Sequence, residues 1–223
     1  MRHPRQQLRP PARLPASTQE HYPWFLPTYW SYPYAIQRVD AVRLFILHRL
    51  GGIYIDLDMG CSARLDFLRT ANFTAPLTNP VGISNDIMAA VPGAPFLTSA
   101  IHHLRRWNKW MVIKYVQVMF STGPMFLTVQ YALASAKLRQ GVAVIPAPVY
   151  GKYDTSGSPA LYHLHGSSWH AGDAALVFWA ERHCRALSVG AAVAAGIFMA
   201  ICCCQGLLRR AWKLQRGCKC DLE

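Results

Sequence analysis

Acid is what this chain has least of. Its 223 residues hold 11 Asp and Glu against 23 Lys and Arg, a formal net charge of +12. That balance disfavours cationic partners and suits anionic ones, such as phospholipid headgroups or nucleotide phosphates. No compact basic recognition motif occurs, which argues against a nucleic-acid binder. No internal repeat is visible, so a solenoid or propeller is excluded. The seven cysteines lack any CxxC pair of zinc spacing: Cys61 and Cys184 stand alone, while Cys202, Cys203, Cys204, Cys218 and Cys220 crowd the C-terminal end. There they suit S-palmitoylation beside a span, or serve as small apolar residues of a helix. Residues 1–20 lack the apolar core of a signal peptide and are expected to form a basic, Pro-rich tail.

What the chain does have is apolar mass: 52% of residues are hydrophobic and 12% aromatic, enough for a packed core. Residues 34–50 repeat apolar side chains at 36, 39, 42, 46, 47 and 50, which predicts a helix stopped by Gly51-Gly52. A buried strand is expected over 53–58. Residues 62–80 read as a short helix and a loop carrying the sequon Asn72-Phe73-Thr74. A strand, turn and Pro-Gly break follow over 81–96, and a helix over 96–111. A further helix is expected over 121–138, with Thr122 as its cap and Pro124 in its first turn. A strand over 141–151 and a Ser-Gly-Pro loop over 152–160 complete the body. Helices alternating with short strands argue for an α/β layered domain. Residues 186–208 then run 23 positions without charge, about 34 Å as a helix and enough to cross a bilayer core. The basic residues after it place the tail on the cytosolic side and the main domain in the lumen.

The scarce acids are concentrated. Asp40, Asp56 and Asp58 fall within 19 residues, the last two in "GGIYIDLDMG". If the strand extends to 58, alternation puts both carboxylates of Asp56-Leu57-Asp58 on one face. Like charges so close repel unless a cation lies between them, and hard divalent ions prefer such oxygen ligands alongside substrate phosphates. The pair reads as half of a metal–diphosphate clamp. Asp40 and Arg43, at i and i+3 on the preceding helix, share a face; their bland reading is a helix salt bridge, and Arg38 reads the same way.

The segment "IQRVDAVRLFILHRLGGIYIDLDMGC", followed by "VGISNDIMAAVPGAPFL", "STGPMFL" and "HLHGSSWH", resembles the glycosyltransferase family 32 sugar-transferase domain. Within that family the likeness is to fungal mannosyl-inositol-phosphoceramide synthase catalytic subunits, over about residues 22–185. The resemblance implies an α/β nucleotide-diphospho-sugar transferase fold of the GT-A type over 21–185, ahead of the transmembrane helix expected over 186–208 and a basic, Cys-containing tail over 209–223. It implies Mn²⁺ (or Mg²⁺) held by Asp58, with Asp56 on the metal or the donor's ribose. His163 would complete the metal shell, with His165 the alternative. Asp40 and Arg43 would hold hydroxyls of the donor sugar. Asn85 and Asp86 would line the site, whose bland reading is a plain Asn-Asp turn. Gly123 would admit a phosphate to a helix start, and Ser168 and Trp169 would form a lid on the phosphate side.

The implied reaction moves mannose from GDP-mannose to inositol-phosphoceramide with retention, at the Golgi membrane with the catalytic domain lumenal. A small regulatory membrane subunit is an implied partner. The alternatives are an α-mannosyltransferase acting on N-glycan outer chains and a non-catalytic, membrane-anchored relative. Family members usually carry a first strand and helix ahead of "YPWFLPTYW", so a truncated N-terminus is expected.

Overall fold

The computed structural model describes residues 16–78, 82–151 and 160–164, together with 174, 175, 177, 179 and 183. The chain divides into two compact units, 1–170 and 171–223. In the second, Trp179 stacks on His183 with ring centroids 4.7 Å apart. Among the described residues no helix is long and apolar enough to cross a membrane. The expected span 186–208, its cysteines, the basic tail 209–223, Ser168, Trp169 and His165 lie outside the described residues.

The first unit is an α/β domain. Helices α1 (Ala16–His21) and α2 (Leu26–Ser31) lead into α3 (Ala35–Leu50), so the expected N-terminal tail gives way to helix before residue 20. Strands β1 (Gly52–Ile55), β3 (Phe73–Pro76), β4 (Ile87–Ala90) and β5 (Val142–Ile145) build a sheet in the order β1-β4-β3-β5. β4 runs antiparallel to both its neighbours, while β3 and β5 are parallel. A separate pair, β2 (Met59–Cys61) and β6 (Leu161–His163), is antiparallel with Met59 opposite His163. Helices α4 (Pro95–Trp107), α5 (Lys114–Ser121), α6 (Pro124–Leu133), α7 (Ala136–Gln140) and α8 (Ala147–Tyr150) fill the intervals.

The core of the main sheet is aromatic. Phe25, Tyr29, Phe45, Phe73, Phe96 and Phe126 are buried with Leu44, Met88 and Ile101 in one cluster. The Tyr22, Phe25 and Phe45 rings meet in tilted pairs at 4.4–4.8 Å, favourable contacts beyond simple burial.

Several expectations need correction. The buried face of α3 is Gln37, Asp40, Ala41, Arg43, Leu44, Phe45 and Leu47, whereas Val39 and Leu50 are exposed. The apolar period chosen from the sequence missed this face because polar residues share it. The expected helix 121–138 is two, α6 and α7, and α5 ahead of them was not foreseen. Gly123, not Thr122, sits at the cap position of α6. The expected strand 141–151 ends at Ile145, where Pro146 removes a ladder donor and α8 begins. The sequon spans the start of β3 and not a loop: Asn72 is exposed, but Thr74 is wholly buried.

Gly51 makes the turn from α3 into β1. Its φ of 67° suits glycine, and a Cβ there would meet Pro92 Cδ at 2.6 Å. Helix and strand therefore join without a loop, and residues of α3 lie beside those following β1.

Candidate functional site

β1 stops at Ile55, so Asp56-Leu57-Asp58 is a turn and not the end of a strand. The Met59 N–H donates to the Asp56 carbonyl at 3.0 Å and closes it. The expectation that both carboxylates share a strand face therefore fails, because alternation holds only while the strand continues. The two acids face different surroundings, and Leu57 between them is fully exposed.

Asp56 is held. Its backbone N–H donates to the Asp86 carbonyl at 2.7 Å. Arg43 Nη1 lies 3.2 Å from its Oδ2, and the Tyr54 hydroxyl donates to its Oδ1 at 2.5 Å. The guanidinium also lies over the Tyr54 ring, 4.8 Å from the centroid. Tyr54 and Asp56 are two residues apart, so a strand leaving the sheet directs them to one side. Tyr54 was not singled out from the sequence, although that spacing was the available signal.

Arg43 is the hub. Besides Asp56, its Nη2 pairs with Asp40 Oδ1 at 3.1 Å and its Nη1 donates to the Asn85 carbonyl at 2.7 Å. Asp40 Oδ1 also accepts from Asn85 Nδ2 at 3.0 Å, and Oδ2 from the Thr122 hydroxyl at 3.1 Å. Asp40 and Arg43 are each 4% exposed, so the surface-pair value of a few tenths of a kcal/mol does not apply. Nor do they offer much surface to a sugar; their burial makes them a frame. Arg38 forms no helix pair and donates to the Tyr32 carbonyl at 2.5 Å.

The frame continues into the Ser84-Asn85-Asp86 segment, which is buried and leads into β4. The Ser84 hydroxyl donates to Asp86 Oδ1 at 2.7 Å, and the Tyr150 hydroxyl donates to Asp86 Oδ2. The segment is thus more than a plain turn. It holds the backbone carbonyls that receive Arg43 and the Asp56 N–H. Tyr150 and Ser84 were not found from the sequence, and Tyr150, 64 residues from Asp86, left no local signal. On the other side, Gln37 Nε2 donates to Ser121 Oγ at 2.7 Å, joining α3 to the end of α5 beside Thr122. Gly123 gives its own N–H to the Val118 carbonyl at 3.0 Å, and a Cβ there would sit 3.1 Å from Met119 Cα. Close packing of α5 against α6 explains this glycine.

Asp58 is the open member. Its side chain is 36% exposed, and its Oδ2 lies 3.4 Å from Nε2 of His163. The β2–β6 pair positions that histidine, and the Leu164 N–H donates to the Asp58 carbonyl at 2.6 Å. Gly60 lets β6 come this near: a Cβ there would fall 2.3 Å from the Tyr162 ring. His163 is therefore brought to the motif, while His165 lies outside the described residues.

The electrostatics match this division. Burial pushes the Asp40 carboxyl above the usual range, with Arg43 and the Thr122 hydrogen bond opposing it. Burial also raises Asp56, against Arg43 and Tyr54, and the charges of Asp86 and Asp58 raise it further. Asp40, Asp56 and Asp86 act on the Arg43 guanidinium, and Asp58 joins Asp86 in acting on Asp56, so four carboxylates share this part of the fold. This surplus of negative charge is what a divalent cation relieves, and Asp58 with His163 offers a carboxylate oxygen and an imidazole nitrogen at the open edge. The expected direct ligation by Asp56 fits less well, since both its oxygens are already engaged. Among the described residues no group of three or more His, Cys, Asp and Glu forms a metal cage.

Residues 12–77 match the family model described as a glycosyltransferase sugar-binding region containing a DXD motif, and Asp56-Leu57-Asp58 falls within it. The chain is 41% identical over 184 residues to "Inositol phosphoceramide mannosyltransferase 1" of Schizosaccharomyces pombe, covering 82% of this chain and 57% of that protein. It is 42% identical over 168 residues to "Mannosyl phosphorylinositol ceramide synthase CSH1" of Saccharomyces cerevisiae, covering 74% of this chain and 44% of that protein. The SUR1 synthase of the same yeast is also 42% identical, over 74% of this chain and 43% of its own length. The chain thus spans about half the length of these relatives. A solved structure, "PaToxG Glycosyltransferase", aligns over 56% of this chain and 46% of its own at 18% identity, with a TM-score of 0.40, too loose to carry an argument.

Proposed function

We propose that this chain is the catalytic part of a mannosyltransferase that moves mannose from GDP-mannose to the inositol of inositol phosphoceramide, with retention at the anomeric carbon. The names of the relatives support the acceptor and the sugar. The observation that carries the reading is the division of the Asp-x-Asp pair: Asp56 is locked to Arg43 and Tyr54, and Asp58 is open toward His163.

In this reading Asp58 and His163 hold Mn²⁺ or Mg²⁺ against the donor's diphosphate. The ion, when bound, supplies charge neutralisation for the departing nucleoside diphosphate. Asp56 keeps the turn in place and faces the donor's ribose. Asp40, Arg43, Asn85 and Thr122 fix the wall against which the sugar rests. A wall whose dipoles are already tied down need not reorganise during transfer, which is where preorganised sites gain their rate. The acceptor approaches from the side of the leaving phosphate, which gives retention without a covalent glycosyl-enzyme. Residence at the Golgi membrane with the domain lumenal, and pairing with a small regulatory subunit, belong to the same proposal.

The experiment is transfer by the purified full chain from GDP-mannose to inositol phosphoceramide, with and without Mn²⁺. Mannosylated lipid formed only with the metal, and lost in Asp58→Asn, is the expected result. Unchanged mannosylated inositol sphingolipids in cells lacking the protein would overturn the acceptor assignment. Metal-independent turnover in the wild type would overturn the clamp.

A further inference from the structure

The loop between α4 and α5 exposes apolar side chains in a basic setting. Trp110 is 78% exposed and Val112 is 83% exposed, in the run Asn108-Lys109-Trp110-Met111-Val112-Ile113. The loop is shaped, not slack. The Lys109 N–H donates to the Trp107 carbonyl at 2.8 Å, and the Met111 N–H donates to Oε1 of the buried Gln117 at 3.2 Å. Asn108 Nδ2 donates to Ser31 Oγ at 2.8 Å, which brings the loop beside the end of α2, where Trp30 is 52% exposed. The Asn108–Ser31 bond therefore ties the start of this loop to the end of α2.

The charge around this neighbourhood has one sign. Arg105, Arg106 and Lys109 are exposed on the last turn of α4 and the loop, and Lys114 opens α5 over the Tyr34 ring. No Asp or Glu occurs between Asp86 and Asp154. An exposed tryptophan close in sequence to an exposed valine, on a segment whose charged side chains are all Lys and Arg, matches the interface of an anionic bilayer. There the indole sits at the headgroups and the cations meet phosphate. The distance to the site also fits. α5 starts at this loop and leads to Thr122, whose hydroxyl bonds Asp40, about 12 Å away along an eight-residue helix.

We infer that the 108–113 loop, with Trp30, is a docking surface for an anionic membrane, seating Trp110 and Val112 at the headgroup level and pairing Arg105, Arg106 and Lys109 with lipid phosphates. This goes beyond the transferase reading and does not rest on it. A chain that transfers nothing would still bind in this way. If the transfer reading holds, docking brings the carboxylate turn within reach of headgroups.

The uncharged run 186–208 makes bulk vesicle binding uninformative, so the readout must be local. Amide hydrogen exchange of the full chain is measured alone, with phosphatidylcholine vesicles, and with phosphatidylcholine–phosphatidylserine vesicles. Protection within 108–113 is expected on the anionic vesicles only, with none in the 62–69 segment. Trp110→Ser with Val112→Ser should lower that protection roughly tenfold. Arg105→Gln, Arg106→Gln and Lys109→Gln together should remove the preference for anionic lipid. All of these should leave metal-dependent hydrolysis of GDP-mannose unchanged, which separates failed docking from failed chemistry. Equal protection on both vesicle types, or none, overturns the proposal. So does protection that rises with protein concentration in the absence of lipid, the mark of a second copy covering the loop.

Discussion

Two aspartates two residues apart lead opposite lives. Asp56 sits in a network that links Arg43, Tyr54, Asn85, Asp40 and Thr122, and most of it is sealed from water. Asp58 stands at the edge, a third exposed, with Nε2 of His163 3.4 Å from its carboxylate. The difference teaches that a short acidic motif is not a unit. One carboxylate is tied into the frame and the other is left open at its edge, and the turn itself, by ending the strand, separates them.

The comparison can be broken first at its hub. Arg43→Ala leaves Asp40 and Asp56 without their cation, and breaking a buried pair from one side costs about 3–5 kcal/mol. Urea unfolding should show that loss; a change below about 1 kcal/mol would mean the network is not sealed. Asp58→Asn tests the open side. Its stability should move by less than about 0.5 kcal/mol, as for a surface change, while metal-dependent turnover of GDP-mannose falls on the order of 100-fold or more, about 2.7 kcal/mol of barrier. Equal stability losses in the two variants would erase the distinction between the aspartates.

Tyr54→Phe sharpens the locked side with one atom. Removing the hydroxyl that donates to Asp56 should cost about 1 kcal/mol in chemical unfolding and leave Asp58 untouched.

The smallest effect lies at the far end of the same helix. His48 is bonded by the Tyr22 hydroxyl at 2.6 Å on Nδ1 and by Thr98 Oγ1 at 2.9 Å on Nε2. Burial, with a lesser contribution from His102, lowers its pKa. The unfolded chain therefore binds this proton more readily than the folded one, so this contribution is present above about pH 6.5 and is lost as pH falls below it. The thermal midpoint should drop on acidification, and His48→Gln should flatten that slope. An unchanged slope would show that the histidine is neutral to folding.

Much of the layout was legible in the chain. Gly51-Gly52 announced the junction of α3 and β1, because a glycine at positive φ is what such a turn requires. The helical i, i+3 spacing of Asp40 and Arg43 announced their ion pair, and the crowding of scarce acids at 40–58 announced the site. The apolar face of α3 was misread, since Gln37, Asp40 and Arg43 are buried on it and break the period that apolar residues alone would draw.

Sequence alone determined that these acids needed a counter-charge, for carboxylates in an apolar run are costly without one. Only the folded chain decided which acid received it. Thr122 reaches Asp40 across 82 residues, Tyr150 reaches Asp86 across 64, and β6 carries His163 to Asp58. Local periodicity carries no record of such contacts, because each depends on packing between distant segments and on where a strand stops.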